Sequence, residues 1–233
     1  MIIGINGKIG SGKDTIGSII QYLTDDLNKN NPKEFTEWVD GGFHASDWKV
    51  KKFAGKLKEI AALLTGCTIE QLEDQEFKKQ PLGFDWRSGH CIGAASTYRE
   101  LLQLLGTEIM RDKVHPNVWV NALFADYHAT LNKSMDESFN EQFLTGRSEI
   151  HYKIPKWIIT DMRFPNELEA VKAKDGITIR VNRINRWNKL QDIEHASETA
   201  LDNAKFDYVI DNDGTIEDLI KKVKVILIKE DII

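Results

Sequence analysis

The sequence predicts an α/β fold, a parallel sheet with helices packed on both faces. Three observations predict it. Short apolar runs rich in β-branched residues alternate with longer segments of helical period, the order that builds β–α–β units. The first of these runs ends in a glycine-rich turn that opens directly into a helix. Finally, 233 residues with 41% hydrophobic and 29% charged content suffice for a packed core and exclude wholesale disorder.

Residues 1–5 form the first apolar run, closed by glycine and asparagine. Residues 13–23 place Ile16, Ile19, Ile20 and Leu23 on one helical face. The stretch 28–47 is polar, with Asn-Pro and Gly-Gly, and reads as an insertion. A second strand is expected at 48–53, followed by a helix carrying Leu57, Ile60, Ala61 and Leu64. Residues 74–96 look irregular. Thr97-x-x-Glu100 is a capping box, and Tyr98, Leu101, Leu102, Leu105 and Ile109 share a face of the helix it starts. A further helix is expected from about 117 to 131, then a polar loop over 132–155. Strands are expected at 157–160, 177–182 and 206–210. Residues 165–173 form a helix with proline at its start and Gly176 beyond its end. Thr215 and Asp218 cap a last amphipathic helix.

At roughly 150 residues per domain the chain reads as one domain over 1–233, with an insertion at about 55–155. The 36 acidic against 31 basic residues give a net charge of -5, which argues against a protein that coats nucleic acid or an anionic membrane. Cys67 and Cys91 are too few for a disulfide framework and fit no zinc-ligand spacing. No apolar run approaches the roughly 18 residues that span a bilayer, and the first residues lack the pattern of a signal peptide. A soluble cytoplasmic protein is expected.

Gly7-Lys-Ile-Gly10-Ser11-Gly12-Lys13 matches the first seven positions of G-x-x-x-x-G-K-[ST]. Glycines at these places let backbone N–H groups turn inward around phosphates, while the following helix presents its positive end to them. Lys13 would reach the β- and γ-phosphates of a nucleotide. The next position, normally a magnesium-ligating Ser or Thr, is Asp14, with Thr15 after it. Either one could hold the ion.

A phosphate-loop kinase also needs a second anion site, since phosphoryl transfer brings two polyanions together. Arg99, Gln103, Thr107 and Arg111 follow each other at i+4 and form one stripe, although a solvated helix face would give the same pattern. Asp161 and Arg163 follow a strand, where open α/β sheets bind ligands. Asp161 could assist magnesium or orient an acceptor, and Arg163 could bind the acceptor phosphate. Arg183 and Arg186 lie in a charged loop at 183–198, with Trp187, Asp192, His195 and Glu198, where a closing lid is expected. No Ser-His-Asp constellation and no metal cluster beyond the phosphate site is evident.

Five segments in order carry a resemblance: Gly-Ser-Gly-Lys-Asp-Thr at 10–15, Arg-Glu-Leu-Leu-Gln-Leu-Leu-Gly-Thr-Glu at 99–108, Asp-x-Arg-Phe-Pro-Asn-Glu at 161–167, His-x-Ser-Glu at 195–198 and Asp-Tyr-Val-Ile-Asp-Asn-Asp-Gly-Thr at 207–215. Together they resemble the deoxynucleoside monophosphate kinases of tailed bacteriophages, over nearly the whole chain apart from 28–47 and 132–155. Lys-Asp-Thr after the glycines is shared with that family.

The resemblance implies the nucleoside monophosphate kinase fold, a five-stranded parallel core with an acceptor-binding region and a lid. It implies transfer of the γ-phosphate of ATP to a deoxynucleoside monophosphate with Mg2+, supplying deoxynucleotides for DNA synthesis. Lys13 would bind the ATP phosphates, Arg99, Gln103 and Thr107 would line the acceptor site, and Arg163 would meet the acceptor phosphate. The turn holding Asn212, Gly214 and Thr215 would pack near the adenine. No nucleic-acid or membrane partner is expected, and a homodimer is compatible with the sequence. Two other readings stay open: a dephospho-coenzyme A or phosphomevalonate type of kinase, and a non-catalytic nucleotide-binding protein.

Overall fold

The computed structural model describes residues 1–42, 44–87, 95–131, 152–183 and 199–233. Strand β1 (Ile2–Gly7) leads through the glycine loop into helix α1 (Lys13–Thr24), and two short helices follow, α2 (Asp26–Asn30) and α3 (Phe35–Asp40). The polar stretch expected to be an insertion therefore holds helical turns, tied together by Asp25. Its carboxylate accepts hydrogen bonds from Leu27 N, Trp38 Nε1 and Ala45 N at 2.9, 2.8 and 3.2 Å. Strand β2 (Trp48–Lys51) stops two residues short of the expected end, because the Phe53 amide is bound by a carboxylate from another strand.

Helices α4 (Gly55–Thr65) and α5 (Ile69–Glu73) come next. The region expected to be irregular contains a 3-10 turn (Phe77–Lys79) and the short helix α6 (Phe84–Arg87). The capping box at Thr97 starts α7 (Tyr98–Gln103), which continues as a π-helix over Leu104–Val114. Helix α8 (Val118–Phe124) ends seven residues before the expected boundary. Thr130–Leu131 (β3) instead pairs antiparallel with Tyr152–Lys153 (β4).

Strand β5 (Lys156–Met162) runs beyond the expected end and includes Asp161. Helix α9 (Pro165–Lys172), β6 (Ile177–Asn182), β7 (Tyr208–Asp211) and α10 (Ile216–Lys229) complete the chain. The last strand begins two residues late: the Asp207 amide still donates to the Thr178 carbonyl oxygen, but the ladder with β6 runs from Tyr208.

All five main strands are parallel, in the order β2–β5–β1–β6–β7. Side chains alternate across the pleat. On β1, Ile3 and Ile5 join the cluster built with Ile16, Ile19 and Ile20 of α1 and Leu219 and Val223 of α10. Ile2 points to the other face, where Trp157, Ile159, Leu168 and Val171 pack with Trp119 and Leu123 of α8. The chain goes from β1 to one side and from β5 to the other, so the order reverses beside β1. The crevice outside the carboxyl ends of β1 and β5 is the ligand-binding place of such sheets.

Candidate active site

The glycine loop occupies the carboxyl end of β1. Gly10 and Gly12 have φ of +75° and +98°, a region that side chains other than glycine occupy under strain. A Cβ on Gly12 would also lie 2.5 Å from Asn212 Nδ2, and one on Gly7 2.7 Å from the Val181 carbonyl oxygen. The Lys13 ammonium donates to the carbonyl oxygens of Gly7 (2.6 Å) and Lys8 (2.8 Å), across the loop. The buried Ser11 hydroxyl has no partner among the described residues. Arg183 reaches in from the end of β6, with Nη1 3.4 Å from the Gly10 carbonyl oxygen.

A cleft of about 610 Å³ runs from this loop to the helical wall made by α4, α5 and α7 with its π-helical extension. Lys13, Lys52, Lys58, Lys78, Arg99, Arg111 and Arg163 line it, against the carboxylates of Asp14, Glu73, Asp161 and Glu167. Seven cations to four anions make the cleft positive inside a chain of net charge -5. Such local focusing attracts polyanions.

Asp14 and Thr15 stand in the first turn of α1, and Asp14 is the one that faces the cleft. Its Oδ1 accepts a hydrogen bond from the Thr160 hydroxyl at 2.7 Å and lies 3.6 Å from the Lys52 ammonium. Lys52 is also 3.5 Å from Glu73, which meets Lys58 at 2.5 Å. Burial pulls the Lys52 pKa down, but Asp14, Glu73 and Asp161 together hold it above the usual lysine value. Lys78 is lowered by burial and by the neighbouring charges of Lys58 and Arg99.

Asp161 stands near the end of β5 and lines the cleft. Both carboxylate oxygens accept backbone amides, from Phe53 at 2.8 Å and Ala54 at 2.9 Å. The group thereby braces the β2–α4 turn. Burial raises its pKa despite these bonds and the charges of Arg163 and Lys58.

Arg99, Gln103, Thr107 and Arg111 all line the cleft, as a single stripe. In an α-helix each i+4 step overshoots a full turn by about 40°. In a π-turn, closed by i→i+5 bonds, the same step falls short. The change of helix type after Gln103 therefore keeps the four residues on one side. Arg99 Nη2 donates to Gln75 Oε1 at 3.2 Å, and its Nε is buried without a partner. Arg111 is paired with Glu167 at 2.5 Å, and its guanidinium stacks on the Phe164 ring with 4.0 Å to the centroid. Glu167 also accepts from the amides of Arg163 (2.7 Å) and Phe164 (3.1 Å), so one buried carboxylate fixes Arg111 and the turn bearing Arg163. Burial and Asp161 raise the Glu167 pKa against the pull of Arg111.

Other expected residues lie outside the cleft. Asn212 sits behind the glycine loop, donating from Nδ2 to the Ser11 carbonyl oxygen at 2.8 Å. Thr215 caps α10 through Asp218, and a Cβ at Gly214 would lie 2.8 Å from the Asp218 carboxylate. Arg180, on β6, donates to Asn6 and Asp202. Arg186, Trp187, His195 and Glu198 fall outside the described residues. Sequence reasoning missed Lys52, Lys58, Glu73 and Lys78. A lysine next to the carboxyl end of a strand was the available signal for Lys52; the other three carry none.

Comparison with known proteins gives concordant results. The sequence model of the family described as "Deoxynucleotide monophosphate kinase" matches residues 90–223, more than half of the chain. A protein of Acanthamoeba polyphaga mimivirus, provisionally named a deoxynucleotide monophosphate kinase, is 29% identical over 227 residues, 96% of this chain and 94% of that protein. The deoxynucleotide monophosphate kinase of Enterobacteria phage T4 is 29% identical over 126 residues, 54% of this chain and 43% of the phage protein. That of Escherichia phage RB69 is 26% identical over 129 residues, 55% of this chain and 44% of its own length. The matched part thus spans less than half of each phage protein.

Proposed function

The chain belongs to the deoxynucleotide monophosphate kinase family, and on that premise we propose that it transfers the γ-phosphoryl group of ATP to a deoxynucleoside 5′-monophosphate. The products are the deoxynucleoside diphosphate and ADP. One observation carries the reading: a single cleft has the phosphate-loop lysine at one end and a stripe of cationic and polar side chains at the other. A non-catalytic nucleotide binder has no use for the second end.

An oxygen of the acceptor phosphate attacks the γ-phosphorus in line, and the β–γ bridging oxygen leaves with ADP. Such a transfer needs no covalent intermediate, so catalysis is placement and charge neutralisation. Lys13 and the loop amides take the donor phosphates. Arg99, Gln103 and Thr107 hold the acceptor, with Arg163 toward its phosphate. Arg111, fixed by Glu167, adds charge at the far end of the stripe, and Arg183 closes over the loop from β6.

Among the described residues no group of three or more His, Cys, Asp or Glu could hold a metal ion. That suits magnesium, which keeps several waters and binds through one or two carboxylates plus substrate phosphates. Asp14 fits as that carboxylate: it is open to the cleft and is oriented by the Thr160 hydroxyl. When bound there, magnesium would neutralise charge on the nucleotide phosphates. The deciding experiment is a panel of the common monophosphates, ribo and deoxy, each with ATP and magnesium and separation of the nucleotides formed. At least one deoxynucleoside diphosphate should accumulate together with ADP. ATP consumption equal to a no-acceptor control across the panel would refute the reading.

A further inference from the structure

The two ends of the cleft account for the donor and acceptor phosphates, but the charge that moves during transfer lies between them. We propose that Lys52, a residue the kinase reading leaves without a role, is a catalytic cation that contacts the phosphoryl group in transit. The inference rests on the proposed kinase activity and assigns a further residue to it.

Three observations carry it. Lys52 lines the cleft with a side chain 28% exposed, and it is held by one carboxylate from each side. Asp14, 3.6 Å away, follows the phosphate-loop lysine, and Glu73, 3.5 Å away, ends the helix that leads into the acceptor wall. The ammonium is thus already placed where the donor and acceptor halves meet.

Its mount is rigid on both flanks. Lys51 is paired in the sheet with Ile159 of β5, and the amides of Phe53 and Ala54 are pinned by the buried Asp161 carboxylate. Preorganised charge of this kind is worth most where charge develops in the transition state. The carboxyl group of Asp161 then has a use in the family motif: it fixes the neighbour of a catalytic lysine.

Finally, the chemistry of the side chain suits a moving charge. A lysine ammonium is a compact point charge on a flexible stem, able to turn from a carboxylate to a phosphate oxygen without the planar constraint of arginine. Two polyanionic substrates meeting in the cleft would exchange its carboxylate partners for phosphate oxygens.

The competing explanation is that Lys52 only balances the charges of Asp14 and Glu73. The two differ in what Lys52→Met does. A catalytic cation predicts a loss of about 10²-fold or more in kcat, while the dissociation constants of a non-hydrolysable magnesium–ATP analogue and of the monophosphate, each measured alone by calorimetry, stay within about threefold. With both ligands present, the variant should show the two weakening each other by about tenfold relative to wild type, since the shared cation is gone. A kcat within about threefold of wild type, or a loss matched by equal weakening of both separate complexes, would overturn the assignment. Should Lys52→Met fail to fold, Lys52→Gln, which can hydrogen-bond both carboxylates, answers the same question. A wild type that phosphorylates no monophosphate refutes the kinase reading itself, an outcome distinct from an active wild type with an equally active Lys52→Met.

Discussion

The donor loop and the acceptor wall bind the same kind of group by opposite means. The loop is made of main chain: seven consecutive residues, two of them glycines in the left-handed region, turn the backbone and place Lys13 across the opening. Its repulsions are small, because amide dipoles carry no net charge. The wall is made of side chains from several separate segments, and its cations repel one another. It holds together because buried carboxylates from distant parts of the chain are set among them. Glu167 is 56 residues from Arg111, and Asp161 is more than 100 from the turn that it braces. A main-chain cradle is written in neighbouring residues. A side-chain cradle must be balanced by partners far away, and its stability and its ligand affinity are thereby linked.

Removing the one essential charge of the loop gives the largest effect. Lys13→Ala should lower kcat/KM by at least about 10²-fold, or about 2.7 kcal/mol of transition-state stabilisation, because the ammonium meets charge moving between β- and γ-oxygens. The fold should survive, since the Lys13 ammonium is bound to carbonyl oxygens of the exposed loop. Far- and near-ultraviolet circular dichroism would check the fold, and initial rates would check the loss. Near-normal turnover in a folded variant would mean that the loop is not the donor site.

In the wall, the two end arginines of the stripe should separate stability from affinity. Arg111→Ala leaves Glu167, whose side chain is 2% exposed, buried without its cation. Breaking such a pair from one side destabilises by about 3–5 kcal/mol. Arg99 leans on a neutral amide instead, so Arg99→Ala should change stability by less than about 0.5 kcal/mol. It should still raise the KM for the monophosphate about tenfold, with the KM for ATP unchanged. Denaturant melts and steady-state kinetics on both variants test this together. Equal stability losses would show that the carboxylate at 167 does not distinguish the two arginines.

The same contrast explains what the sequence disclosed. The parallel sheet, the glycine loop and the capping boxes at Thr97 and Thr215 are local patterns, and each appears where the residues place it. The stripe from Arg99 to Arg111 was visible as an i+4 repeat, although the π-helix that keeps it aligned was not. Element ends shifted where a distant side chain competes with the local pattern. Asp161 takes the Phe53 amide out of reach of the ladder and shortens β2. The same long-range bonds hid the chain Asp14–Lys52–Glu73–Lys58, because no spacing along the sequence marks which lysine will meet which carboxylate. The turn at 212–215 was legible as a motif, but its bond from Asn212 to the Ser11 carbonyl oxygen of the loop was not.

The smallest effect expected is one of pH, and it sets a carboxylate of the cleft against one remote from it. Asp161 has its pKa raised, chiefly by burial. The folded state then keeps a proton at pH values where the unfolded chain has released it, so stability is full below the ordinary aspartate value of 3.8 and falls as pH rises above it. Asp25 runs the other way. Burial pushes its pKa up, but the Trp38 indole and the amides of Ala45, Leu27 and Asn28 outweigh it and lower the value. Its stabilisation is present above the ordinary value and is lost as pH falls through the lowered one. The difference in unfolding free energy between wild type and Asp161→Asn should therefore decline with rising pH, and that for Asp25→Asn should increase. Neither slope can exceed about 1.4 kcal/mol per pH unit, the limit for one proton. Urea titrations across the acidic range measure both. Slopes of the same sign would mean that burial does not dominate at Asp161, and that its two backbone amides stabilise the charged carboxylate as fully as four hydrogen-bond donors do at Asp25.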